Sequence, residues 1–197
     1  MKRQNPLQKA YRRIETEGKK HSICLYSATA IALWQYWGKK KEAINRLFDL
    51  SHVVWNECAK DHDHSMIQMC ETETGIEITN GDGKGWRDVH YLNGSLNPGM
   101  MTEAQWLYMR QQQLKWIRPQ IMACMLISMH RKYKFGFERC SKIYQQINDI
   151  EAEYRSNPER LRKACYELTG IDVAETVTAD RKESAELAVA AWNRRAE

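Results

Sequence analysis

The stretch Ile121-Met122-Ala123-Cys124-Met125-Leu126-Ile127 decides the fold, because it is apolar at every position and carries neither glycine nor proline. A helix can be apolar on all sides only where neighbouring elements surround it. The flanks supply the helix signals. Thr102, with Gln105 three residues later, makes a capping-box start, because each side chain can satisfy the other's free backbone N–H. The reading is one helix from Thr102 toward Lys134, kinked or interrupted at Pro119, forming the centre of a helical bundle.

Working outward, punctuation marks further helices. Asn5-Pro6 is a start signal with Gly18 as its stop; His21 or Ser22 opens a second helix that Gly38 ends. That second segment, Ser22 to Trp37, is too short and too polar to cross a bilayer, which takes about 20 apolar residues. It reads as a core helix. Ile44, Leu47, Phe48, Val54 and Trp55 place one buried face on a third helix, which breaks around Asp61 to Ser65 before a short helix reaches Gly75. Beyond Gly136, the residues Ile143, Ile147, Ile150 and Tyr154 form a stripe. Asn157-Pro158 opens and Gly170 closes the next helix, and a last one begins at Asp180.

Residues 76–101 differ: glycines cluster, and Ile76-Glu77-Ile78 and Asp88-Val89-His90-Tyr91-Leu92 alternate, which suggests a small hairpin or a loop excursion. The fold class expected is therefore all-α, a helical bundle with that one excursion. Its domain is 1–170, with 171–197 as a linker and a C-terminal helix packed on it.

Composition fits a globular chain. Of its 197 residues 43% are hydrophobic and 28% charged, and valine is scarce beside Leu, Met, Ala, Gln, Glu, Lys and Arg, which lose little rotamer freedom in helices. Six cysteines with no C-x-x-C pair suggest reduced thiols and a cytoplasmic setting. The net charge of +5 divides into alternating blocks: +8 over 1–41, −7 over 42–105, +7 over 106–142 and −3 over 143–197. Such alternation either packs basic faces on acidic ones or polarises the surface toward a charged partner.

Three groups bear on chemistry. Cys58, His62, His64 and Cys70 have zinc-ligand chemistry, since Cys58 and His62 are one helical turn apart. The opposing reading is that Val54, Cys58, His62, Met66 and Cys70 simply continue a core stripe in steps of four, and the spacing matches no standard finger. Gly81-Asp82-Gly83-Lys84-Gly85 reads as a turn, because no Lys-Ser/Thr pair opens a helix after it as a phosphate loop requires. Asp82, Asp88 and His90 near Trp86 are acid and base groups with nothing to fix their separation. No catalytic site is expected.

The stronger lead is the third group: Arg110, Lys115, Arg118, Arg131, Lys132, Lys134, Arg139 and Lys142, interleaved with Tyr108, Trp116, Tyr133, Phe135 and Phe137. Cations and aromatics in this mixture suit phosphate contacts and base stacking. The plain alternative is a solvated helix face whose aromatics belong to the core. The tract Lys132-Tyr133-Lys134-Phe135-Gly136-Phe137-Glu138-Arg139 resembles a segment of small helical prophage-encoded proteins. That resemblance implies a non-catalytic accessory protein acting by binding, foremost as an anti-CRISPR-like inhibitor; a nucleic-acid-binding regulator using residues 106–142 is the alternative reading and a metal-dependent enzyme the third. The partner would be a host protein or nucleoprotein such as a CRISPR nuclease, not a membrane. The expected binding surface is Arg110 through Lys142, with Phe135 and Phe137 as its aromatics.

Overall fold

The computed structural model describes residues 6–60, 66–80, 83, 102–154 and 157–174. These form six helices: α1 (Pro6–Trp37), α2 (Lys41–Lys60), α3 (Met66–Thr74), α4 (Glu103–Tyr133), α5 (Phe137–Glu153) and α6 (Pro158–Thr169). No strand occurs among the described residues. The protein is an all-α bundle, and none of its described helices is long and apolar enough to cross a membrane.

Local chemistry accounts for most helix ends. Thr102 accepts from the Gln105 backbone N–H while the Gln105 side chain accepts from the Thr102 N–H, so α4 begins in a closed capping box. At α6, Asn157 accepts from the Arg160 N–H ahead of Pro158, and Gly170 ends the helix in a left-handed conformation at φ 69°. The α4 end is less usual. Lys134 adopts φ 55° where glycine or asparagine is the ordinary choice.

The core centres on α4 and α1 together. Residues 121–129 of α4 and 25–33 of α1 are both buried without a break. In α1 this stretch is rich in short side chains, Ser27, Ala28, Thr29, Ala30 and Ala32, which let neighbouring helices approach closely. The two helices run parallel: Gly18 lies against Leu114 and Ile117 near their middles, and Trp37 packs at a tilt on Phe135 at their ends, ring centroids 4.7 Å apart. Around this pair, α2, α3 and α5 pack on α4, and α5 and α6 on α1. α3 follows the direction of α4, since Met66 meets Cys124 and Glu73 meets Arg131. α5 returns against it, taking Asn148 and Glu151 back to Arg118.

Three expectations need correction. Gly18 does not stop a helix, because α1 runs unbroken through it. A Cβ there would stand 3.1 Å from Ile117 Cδ1, so the missing side chain serves the close approach of α1 to α4. Of the two readings at Pro119, interruption is ruled out, because the proline sits buried inside a continuous helix. Ile171 and Val173, expected in a linker, are buried in the core. The break at 61–65, most of the 76–101 excursion and the helix expected from Asp180 lie outside the described residues.

Candidate functional site

The turn between α1 and α2 and the turn between α4 and α5 meet at one end of the bundle. The Trp37 indole N–H donates to Gln146 Oε1 at 2.9 Å, the Tyr133 hydroxyl donates to the Ala43 carbonyl at 2.9 Å, and Lys39 Nζ lies 4.3 Å from the centre of the Tyr133 ring. Phe135 is wedged between Trp37 and Tyr133 and is buried. It belongs to the core and offers no face to a ligand.

This junction brings together two basic runs that are far apart in the chain. Lys39, Lys40, Lys41 and Arg46 come from one, and Lys132, Lys134, Arg139 and Lys142 from the other. All but Lys39 are exposed, and Lys132, Lys134 and Lys142 form no ion pair with a described residue. Arg139 lies 5.9 Å from the Phe135 ring. Two large aromatics remain outside, Tyr36 at 57% exposure and Phe137 at 58%.

Some positive charge is needed here for structural reasons. The C-terminal ends of α1, α3, α4 and α6 point to this junction, and the N-terminal ends of α2 and α5 point the same way. With about half a charge per helix end, the four carbonyl ends and two amide ends leave roughly one negative charge to balance. Lys41 meets part of it, donating to the Gly170 carbonyl at 2.6 Å. The other cations exceed that requirement, with Glu42 and Glu138 among the exposed carboxylates next to them in the chain.

The remaining members of the expected surface are placed elsewhere. Arg131 is taken up by ion pairs. Its Nη2 donates to Glu73 Oε1 at 2.8 Å, its Nε to Glu73 Oε2 at 3.1 Å and its Nη1 to Glu57 Oε2 at 2.7 Å, pinning α4 to α3 and α2. Arg118 bonds Glu151 from α5 at 2.9 Å through Nε, and Asn148 through Nη2. It lines a cleft of about 700 Å³ with Lys20, His21, Cys24, Lys115, Tyr144 and Asn80, residues that no sequence motif linked. Lys115 is exposed on that cleft. Arg110 lies within α4, its side chain outside what the structure describes.

For the zinc reading, Cys58 is half-buried at the end of α2, and Cys70 is buried in α3 beside Thr74, Sγ to Oγ1 3.5 Å. Burial pushes the Cys70 thiol up to about 12, the Thr74 contact opposing it only in part. His62 and His64 lie outside the described residues, as do Asp82, Asp88 and His90. All six cysteines are free thiols. No protein-family model, curated protein or solved structure matches the chain.

Proposed function

We propose that this protein acts by binding nucleic acid, through the basic end formed by the α1–α2 and α4–α5 turns. The observation that carries the reading is the convergence there of Lys39–Lys41 with Lys132, Lys134, Arg139 and Lys142, in excess of what the helix ends require. Cations gathered at one end of a bundle attract a polyanion, and each phosphate neutralised releases condensed counterions.

The experiment is fluorescence anisotropy with labelled DNA and RNA over a salt series. Binding is expected to weaken linearly on a log–log plot, by about 0.9 per neutralised phosphate on a duplex and about 0.7 on a single strand. Reversing Lys132, Lys134 and Lys142 to Glu should lower affinity and reduce that slope by about two to three. A triple variant that binds as the wild type does, with the same slope, would remove the proposal.

A narrower reading is inhibition of a host nucleoprotein, of which an anti-CRISPR-like inhibitor of a CRISPR nuclease is the concrete form. The nucleic-acid channel of such a partner is itself basic, so an occupant that mimicked nucleic acid would present carboxylates. The cations here favour contact with the RNA or DNA held by the assembly. Exposed Phe137 and Tyr36 would supply apolar contact beside it.

A further inference from the structure

Resting on the nucleic-acid reading, we infer that the basic end selects single strands, with unpaired bases stacking on Phe137 and Tyr36. A duplex hides both faces of every base inside its stack, so a protein that reads only duplex phosphates gains nothing from exposed rings. A single strand presents a π-face at every nucleotide, and each stacked base contributes about 1–3 kcal/mol.

The geometry around Phe137 supports this beyond simple exposure. Its ring is held from below by Gly75, where a Cβ would come within 3.0 Å of Phe137 Cδ2, so the ring rests on bare backbone in a set position. More than half of it still faces solvent. Phe137 is also the first residue of α5, whose N-cap is Gly136 and carries no side-chain capping bond. The first-turn amides of α5 therefore stand without a side-chain acceptor, between Lys134 and Arg139. A base lying on Phe137 would place its phosphate within reach of those amides and cations. Tyr36 sits in the last turn of α1, next to Trp37, which packs on Phe135 two positions before Phe137. Both exposed rings thus lie at the end of the bundle that carries the cations.

The test compares a labelled oligodeoxythymidylate with a duplex of equal length, for wild type, Phe137→Ala, Tyr36→Ala and Phe137→Tyr. Phe137→Ala and Tyr36→Ala are each expected to weaken single-strand binding by about 5- to 150-fold, one base stack in each case. Phe137→Tyr, which keeps a π-face, should bind as the wild type does, and duplex binding should barely change. If Phe137→Ala loses its helical melting transition, Tyr36→Ala and Phe137→Tyr still decide the matter. A protein that binds the duplex at least as tightly, with neither alanine variant affecting the single strand, overturns this inference and leaves the nucleic-acid reading intact. Failure to bind either probe at low salt overturns both.

Discussion

Replacing Arg131 should unlock three helices at once, although its position in a basic run marks it as a surface cation. Its fork grips Glu73 with two bonds, at 2.8 and 3.1 Å, and Glu57 with one at 2.7 Å. The Glu73 side chain is 24% exposed and the Glu57 side chain 53%, so the two arms differ in worth. A charged, two-bond contact that is mostly shielded contributes about 1.5 kcal/mol after desolvation, and the wetter arm about 0.5 kcal/mol. Arg131→Met should therefore cost about 2 kcal/mol. Arg131→Glu sets a third carboxylate against two and should cost about 3–5 kcal/mol. For a chain of this size each kcal/mol lowers Tm by about 2–4 °C, so the methionine variant should melt about 4–8 °C early and the glutamate variant earlier still. Lys132→Glu, one residue along and exposed, should change stability by less than about 0.5 kcal/mol. Urea denaturation and thermal scans followed by circular dichroism read all three. An Arg131→Glu protein that melts with the wild type would refute the reasoning and return Arg131 to the open surface.

Other substitutions separate stability from binding. Lys134→Gly relieves a left-handed lysine and is expected to raise stability by about 0.5–1 kcal/mol while weakening nucleic-acid binding; a loss of stability would mean that the φ of 55° carries no strain. Gly18→Leu drives a side chain into Ile117 and Leu114 and should cost about 1–3 kcal/mol in denaturant midpoint, whereas an unchanged midpoint would show that α1 and α4 part easily there. Burial raises the thiols of Cys70 to about 12 and of Cys165 to about 11. The folded state then holds protons that the unfolded chain releases from about pH 8.5 upward, so stability should fall as pH rises from there through 11 and 12. Each thiol adds at most about 1.4 kcal/mol per pH unit to that fall, and a Cys70→Ala/Cys165→Ala protein with an equally steep decline would rule these two thiols out as its source.

Residue patterns disclosed the local structure far better than the assembly. Thr102 with Gln105, Asn157 with Pro158, and the glycines at 75 and 170 each act through neighbours a few positions away, and each marks a helix end as read. The apolar run at 121–127 announced a surrounded helix, because no other environment tolerates it. Gly18 misled because a glycine that ends a helix and a glycine that admits a neighbouring helix look alike until the neighbour is known. The same holds for Arg131, whose partners lie 58 and 74 positions away. Phe135 and Phe137 differ by two positions, yet one is wedged beneath Trp37 and the other faces water. The basic run 132–142 was visible in sequence, but its union with Lys39–Lys41 depends on helix packing.

The parallel course of α1 and α4 sets the order in which the chain can become a protein. Antiparallel helices can close on each other after a short loop, but these two are joined through residues 38–102, and Trp37 finds Gln146 only 109 positions later. Contacts of such long range demand loop closure before they return any stabilisation, which slows folding relative to bundles of local hairpins. On the ribosome, the apolar stretch 25–33 emerges without its partner. At about 5–20 residues per second, roughly 5–20 s pass before 121–129 is synthesised. For that interval the nascent chain presents an apolar helix that α2 covers only around Tyr26, and any chain cut short before residue 129 keeps the rest of that face permanently. Chaperone capture during synthesis, and aggregation of C-terminal truncations, follow from the direction of one helix relative to another.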